Sequence, residues 1–233
     1  MRNIAIITAR GGSKRIPKKN IRKFCGKPII AYSIESALDS GIFSEVMVST
    51  DSEEVAEIAK KYKANVPFMR SELTSNDYAT TEEVLKEVLE YYRGKGELYD
   101  SMCCIYPTAP FITSEKLKYA YKILHDYDVD VVMPVVRYSF PPQRGLVKRA
   151  DKLEYWHPEY RNSRSQDLDE IYHDAGQFYF YRIKTGGRFG GNMFFPLIIS
   201  EKEAQDIDNE IDWQIAELKY KKFILGEINC NEI

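Results

Sequence analysis

Short apolar, β-branched runs recur along this 233-residue chain, and between them lie segments with apolar residues at helical spacing. That alternation admits few folds. Residues 4–8 (Ile-Ala-Ile-Ile-Thr) read as a strand buried on both faces, and further strands are predicted at 45–49, 99–105, 130–136 and 194–199. Helices are predicted from Pro28 to about Ser40, ended by Gly41; from Ser52 to about Tyr62, capped by Asp51; and from Thr80 or Thr81 to about Tyr92. Two more run from Ser114, as cap, to His125 and from Glu210 to Tyr220. Residues 66–69 make a short extended piece. The prediction is an α/β, three-layer, Rossmann-like domain: a mostly parallel sheet with helices on both faces. From Arg137 to about Tyr172 the rhythm breaks, with Pro141-Pro142, Tyr155-Trp-His-Pro158 and Arg161-Asn-Ser-Arg-Ser-Gln166, before Phe178-Tyr-Phe-Tyr resumes a strand pattern. The core is therefore assigned to 1–137 and 181–233, and 138–180 to an inserted arm.

The loop after the first strand is the most informative local feature. From Arg10 to Lys23 there are seven Lys or Arg residues and no Asp or Glu, in a protein whose net charge is -2. Gly11 and Gly12 can take positive φ, which would turn successive N–H groups toward one anion while Arg10, Lys14 and Lys19 supply charge. A polyphosphate is the natural guest, because ligands of open α/β sheets sit at the carboxyl ends of strands. The simpler reading is a solvated basic turn. A Walker A loop is excluded, since Gly26-Lys27 is followed by Pro28 and preceded at the required distance by Ile21; Gly-x-Gly-x-x-Gly is also absent.

Composition narrows the rest. With 44% hydrophobic and 29% charged residues, the chain is ordinary globular material, and its acidic balance argues against nucleic acid as main partner. There is no apolar stretch of membrane-spanning length, and Met1-Arg-Asn-Ile leads into the first strand without a signal-peptide layout, so a cytoplasmic protein is expected. Cys25, Cys103, Cys104 and Cys230 have no Cys-x-x-Cys spacing, and His125, His157 and His173 form no zinc pattern.

Ala9-Arg-Gly-Gly-Ser-Lys14, with Pro17 and Lys19-Asn20, strongly resembles the nucleotide-binding signature of the CMP-sugar synthetases (acylneuraminate cytidylyltransferases), and the likeness extends along most of the chain. The resemblance implies the nucleotide-diphospho-sugar transferase type of the fold, with the arm serving a homodimer and lending side chains to the partner's sugar pocket. It implies CTP as co-substrate, held by Ala9, Arg10, Gly11, Ser13, Lys14, Lys19 and Asn20, with Arg70 near the base and ribose and Thr80 beside them. Arg10, Lys14 and Lys19 would then act on phosphate charge. Arg70 is followed by Ser71, where the family has Pro; the lesser reading is an exposed surface Arg.

Tyr106-Pro-Thr-Ala-Pro110 resembles the family's Gln-Pro-Thr-Ser-Pro, with Tyr106 at the position of a sugar-facing Gln and Thr108 beside it. Arg164-Ser-Gln-Asp-Leu168 resembles the opening of the sugar-facing region, which brings in Gln166. His173-Asp-Ala-Gly-Gln177 replaces the Asn-Gly-Ala of the sialate enzymes, a change associated with members acting on pseudaminic acid. His173 could also be a plain hydrogen-bonded histidine. Arg144 and Arg164 are candidates for the sugar carboxylate, because a guanidinium can hold it in bidentate fashion.

Asp206-Ile-Asp208 puts two carboxylates on one side of an extended segment, a hard-oxygen pair suited to Mg²⁺. Spacing alone also allows Asp208 or Asn209 merely to cap the next helix; the family's metal-binding Asp-x-Asp stands at this place. The expected reaction is transfer of CMP to a nonulosonic acid, most plainly pseudaminic acid. N-acetylneuraminate, legionaminate and Kdo are its rivals, and a non-catalytic nucleotide sensor is the alternative of another class.

Overall fold

The computed structural model describes residues 2–227; Met1 and Cys230 lie outside the described residues. In chain order the elements are β1 (Asn3–Thr8), β2 (Lys23–Phe24), β3 (Lys27–Pro28), α1 (Ile29–Ser40), β4 (Glu45–Ser49), α2 (Glu53–Lys61), α3 (Glu72–Ser75), α4 (Thr81–Gly94) and β5 (Ser101–Ile105). There follow α5 (Ser114–Asp126), β6 (Val131–Arg137), β7 (Leu146–Arg149), β8 (Lys152–Tyr155), β9 (Tyr172–Asp174), β10 (Phe178–Arg182), β11 (Phe194–Ile198) and α6 (Glu210–Phe223). The main sheet has the order β11-β6-β10-β5-β1-β4, with β9 also paired to β6. β10 is antiparallel to both β5 and β6, so β1, β4, β5, β6 and β11 share one direction, opposed by β9 and β10.

The expected mostly parallel sheet covered on both faces is present. Alternate residues of β1 go to opposite sides: Ala5 and Ile7 pack with Ile30 and Ile34 of α1 and Leu117 of α5, whereas Ile4 and Ile6 pack with Leu85 and Val88 of α4. α6 seals a third cluster, in which Trp213 and Ala216 are buried against Phe24 of the small β2–β3 hairpin and Tyr32 of α1. Cys25 and Gly26 turn that hairpin with φ of 42° and 101°, the positive pair that a two-residue connection needs. No helix among the described residues is long and apolar enough to cross a membrane.

Several expectations shift in detail. Ser52, not Asp51, caps α2, and Thr113, not Ser114, caps α5, each accepting the N–H of the third residue of its helix. Residues 66–69 form no strand; one bridge, Met47 to Asn65, holds the chain beside β4. The larger shift concerns where the core resumes. Phe178 and Phe180 are fully buried on β10 in the middle of the sheet, so the return from the excursion precedes residue 181. Its apolar alternation was visible, but its antiparallel insertion between distant strands is a topological fact that periodicity does not encode. Residues 138–171 contain the β7–β8 hairpin and isolated 3₁₀ turns, and they expose Phe140 (83%) and Trp156 (60%).

Candidate active site

The carboxyl end of β1 releases the basic loop at a crowded point. Ala9 is buried and donates its N–H to the Ser49 carbonyl (3.0 Å), while the Gly11 N–H donates to Asp51 Oδ1 (2.7 Å). A Cβ at Gly11 would stand 2.9 Å from Ser52 Cβ, so close approach to α2 is what this glycine serves. Neither Gly11 nor Gly12 takes positive φ; Lys18 does, at 53°. The expected nest of glycine amides is therefore not formed: Asp51 has taken the first of them. Asn20 is buried and its Nδ2 donates to the Arg10 carbonyl (2.8 Å), tying the end of the loop to its start.

A cavity of about 420 Å³ opens over this loop, bordered by Arg10, Ser13, Lys14, Lys19, Asn20 and Thr108. Its cations are engaged with protein anions. Arg10 Nη1 donates to Asp77 Oδ1 (2.8 Å) and Lys14 Nζ to the other carboxylate oxygen, and these bonds, that of Lys14 foremost, hold the Asp77 carboxyl below its usual range. Arg15 pairs with Asp208 at 2.6 Å. Lys19 Nζ donates to the Ile207 carbonyl (2.7 Å); burial lowers its pKa, partly offset by Asp208 and Asp206. Asp77 bridges two cations as a phosphate would. Sequence reasoning missed it, because nothing in Asn76-Asp77-Tyr78 marks that turn as the loop's counter-ion.

A second cavity, about 480 Å³, adjoins the first, and Tyr106 lines both. Tyr106 sets its ring 5.5 Å from that of Tyr179, whose hydroxyl donates to Asp174 Oδ2 (2.5 Å); Gly176 N–H donates to Asp174 Oδ1 (2.8 Å). Burial raises the pKa of both tyrosines, and Asp174 raises that of Tyr179 further. His173 lines the cavity with Nδ1 2.9 Å from the Asp174 carbonyl and its ring 4.9 Å from that of Tyr138. Asp174, Tyr179 and Lys219, all on this wall, were not anticipated as site residues.

Other candidates sit elsewhere. Thr108 borders the first cavity instead of the second. Gln177 is buried with Nε2 on the Glu203 carbonyl (2.6 Å) and lines neither cavity. Arg70 is also buried, and it braces the end of β4 by donating to Ser49 Oγ (3.0 Å) and the Ser49 carbonyl (2.6 Å). Thr80 caps α4 in a reciprocal pair with Glu83. Arg144, Arg164 and Gln166 lie on the excursion and line neither cavity of their own chain; Arg144 Nη1 reaches Ser165 Oγ at 3.3 Å.

Asp206 borders the second cavity and Asp208 the first. Asn209 caps α6 and Asp212 answers it by accepting the N–H groups of Asp208 and Asn209, so neither carboxylate of the pair is spent on the cap. Among the described residues no group of three or more His, Cys, Asp or Glu is placed to hold a metal. Two carboxylates nevertheless fit Mg²⁺, which keeps several waters and commonly takes its other ligands from substrate phosphates.

The sequence profile described as Cytidylyltransferase matches residues 4–211. A pseudaminic acid cytidylyltransferase of Campylobacter jejuni is 41% identical over 226 residues, covering 95% of this chain and 97% of that protein. A CMP-N,N'-diacetyllegionaminic acid synthase of Legionella pneumophila is 34% identical, covering 93% and 95%. Among solved structures, a CMP:2-keto-3-deoxy-manno-octonic acid synthetase complexed with CTP superimposes with a TM-score of 0.67 at 16% identity, covering 95% of this chain and 99% of that one. With a profile match over most of its length and such identity to full-length relatives, the chain belongs to the cytidylyltransferase family.

Proposed function

We infer that this enzyme joins a nonulosonic acid, pseudaminic acid foremost, to CMP. The anomeric hydroxyl oxygen attacks the α-phosphorus of CTP, the bond to the bridging oxygen of the β-phosphate breaks, pyrophosphate leaves, and the hydroxyl proton passes to solvent. The observation that carries the reading is that a cationic cavity and a mixed polar cavity meet at Tyr106 and share the Asp206–Asp208 segment. A nucleotide in the first would present its phosphates to the second.

Arg10, Lys14 and Lys19 neutralise phosphate charge in this scheme, with Ser13 and Asn20 completing the wall. Triphosphate would take the place of the Asp77 carboxylate on Arg10 and Lys14. Mg²⁺, held by Asp206 and Asp208, would supply charge neutralisation and alignment of the phosphates. Tyr106 and His173 face the sugar, and selectivity among nine-carbon acids depends on ring stereochemistry and substituents read by polar groups. The 41% identity to the Campylobacter enzyme supports pseudaminic acid over the alternatives. The test is pyrophosphate release from CTP with pseudaminic, legionaminic and N-acetylneuraminic acids and Kdo. The highest kcat/KM is expected with pseudaminic acid; an equal or higher value with N-acetylneuraminic acid would overturn that preference.

The excursion supports a dimer. Phe140, Leu153 and Trp156 expose more apolar surface than a free loop should, and a two-fold pair is the commonest assembly. From a second copy, Arg144 and Arg164 would approach the sugar cavity. Light scattering at micromolar concentration should give about twice the 27.1 kDa chain mass; the single-chain value would refute the pairing.

A further inference from the structure

We propose that Lys219 receives the carboxylate of the acidic sugar from within the same chain, an assignment that rests on the reading above. Among the described residues the second cavity is lined by three carboxylates, Asp174, Glu201 and Asp206, and by no Lys or Arg other than Lys219. An anionic sugar entering it meets repulsion unless a cation stands where its carboxylate docks. Asp174 already accepts the Tyr179 hydroxyl and the Gly176 N–H, and the charge of Asp206 would be neutralised by Mg²⁺. That leaves Lys219 as the cation of this wall.

Its placement suits the task. Trp213 and Ala216 bury one face of α6, which fixes the helix, and Lys219 one turn further on projects beside the 3₁₀ turn Glu201–Glu203. There Nζ donates to the Ala204 carbonyl (2.8 Å) and the Glu201 carbonyl (3.1 Å). An ammonium has three donors, so one is left for the cavity, and the two carbonyls remove the rotamer freedom that a lysine ordinarily loses on binding. Partial burial holds its pKa below the ordinary lysine value, a cost that an incoming carboxylate offsets. The other cationic candidates, Arg144 and Arg164, can approach only from a second copy, since neither lines the cavity of its own chain.

Two variants separate charge from bracing. Lys219→Gln keeps N–H donors for the Ala204 and Glu201 carbonyls but loses the charge; Lys219→Arg keeps the charge. With Lys219→Gln the KM for pseudaminic acid should rise about tenfold or more, the loss typical of one charge-assisted hydrogen bond, while the KM for CTP and the Mg²⁺ concentration for half-maximal rate stay put. Lys219→Arg should recover most of the loss. The C1 methyl ester of the sugar should compete with the acid on wild type with a Ki well above the acid's KM, and that gap should close in Lys219→Gln. If Lys219 only braces the turn before Asp206, the Mg²⁺ requirement and both KM values move together and the assignment falls. An unchanged KM for the acid in Lys219→Gln, with wild type turning over, also overturns it and leaves the cytidylyltransferase reading standing. Wild type that releases no pyrophosphate with any nine-carbon acid overturns both.

Discussion

Lys19→Met is expected to lower kcat/KM for CTP by roughly 100-fold or more with the fold retained, the loss typical of removing a preorganised group from developing charge. Methionine keeps an apolar stem of similar length, so the walls around it stay filled. What disappears is an ammonium that the protein has partly desolvated and aimed between Asp206 and Asp208 through its bond to the Ile207 carbonyl. Lys14→Ala should show a loss of similar order, although Lys14 is exposed and its protein partner in the free enzyme is Asp77. The pH profile gives Lys19 its own signature. Burial lowers its pKa, so the charged form required for activity is lost as pH rises through a value below 10.5, and kcat/KM should decline on that alkaline limb. Lys19→Arg should move the limb upward. Wild-type kcat/KM in a well-folded Lys19→Met protein would remove the loop from the chemistry.

Activity should require a divalent metal, and Asp206→Asn and Asp208→Asn should each raise the Mg²⁺ concentration for half-maximal rate by about tenfold or more; even partners outside the coordination shell cost that much when removed. The two variants should differ in one respect. Asp208 also pairs with Arg15, an exposed contact worth little to stability, so its loss frees Arg15 for phosphate and should lower KM for CTP relative to Asp206→Asn. Turnover in excess chelator would refute the metal altogether.

The alternating strands and helices were legible because each element carries its period locally: Ala5 and Ile7 on one face, Ile4 and Ile6 on the other. The basic loop was legible because seven cations without a carboxylate is a statistical oddity in an acidic protein. Helix caps missed by one residue, as Asp51 did, for a reason visible only in three dimensions: its carboxylate was wanted by the Gly11 amide of another segment. Asp77, Tyr179 and Lys219 stayed hidden for the same reason, since each meets its site across a long stretch of sequence. Arg70 and Gln177 were expected at the site from the resemblance, yet their side chains turn to Ser49 and Glu203, and only packing could show that.

The bond from Lys19 to the carbonyl of Ile207 spans 188 residues, as does the pair of Arg22 with Glu210. The basic loop is therefore made long before the segment that carries Ile207 and Glu210. Between those events β10 must slot between β5 and β6, which closes a loop through the whole excursion before the sheet is continuous. High contact order of this kind slows folding, and it also makes competence all-or-none. A nascent chain that has not yet reached Asp206 has the loop's cations with Asp77 as their partner and lacks the two carboxylates of the proposed metal site. On the proposed metal site, activity therefore waits on the same segment that closes the fold over the basic loop.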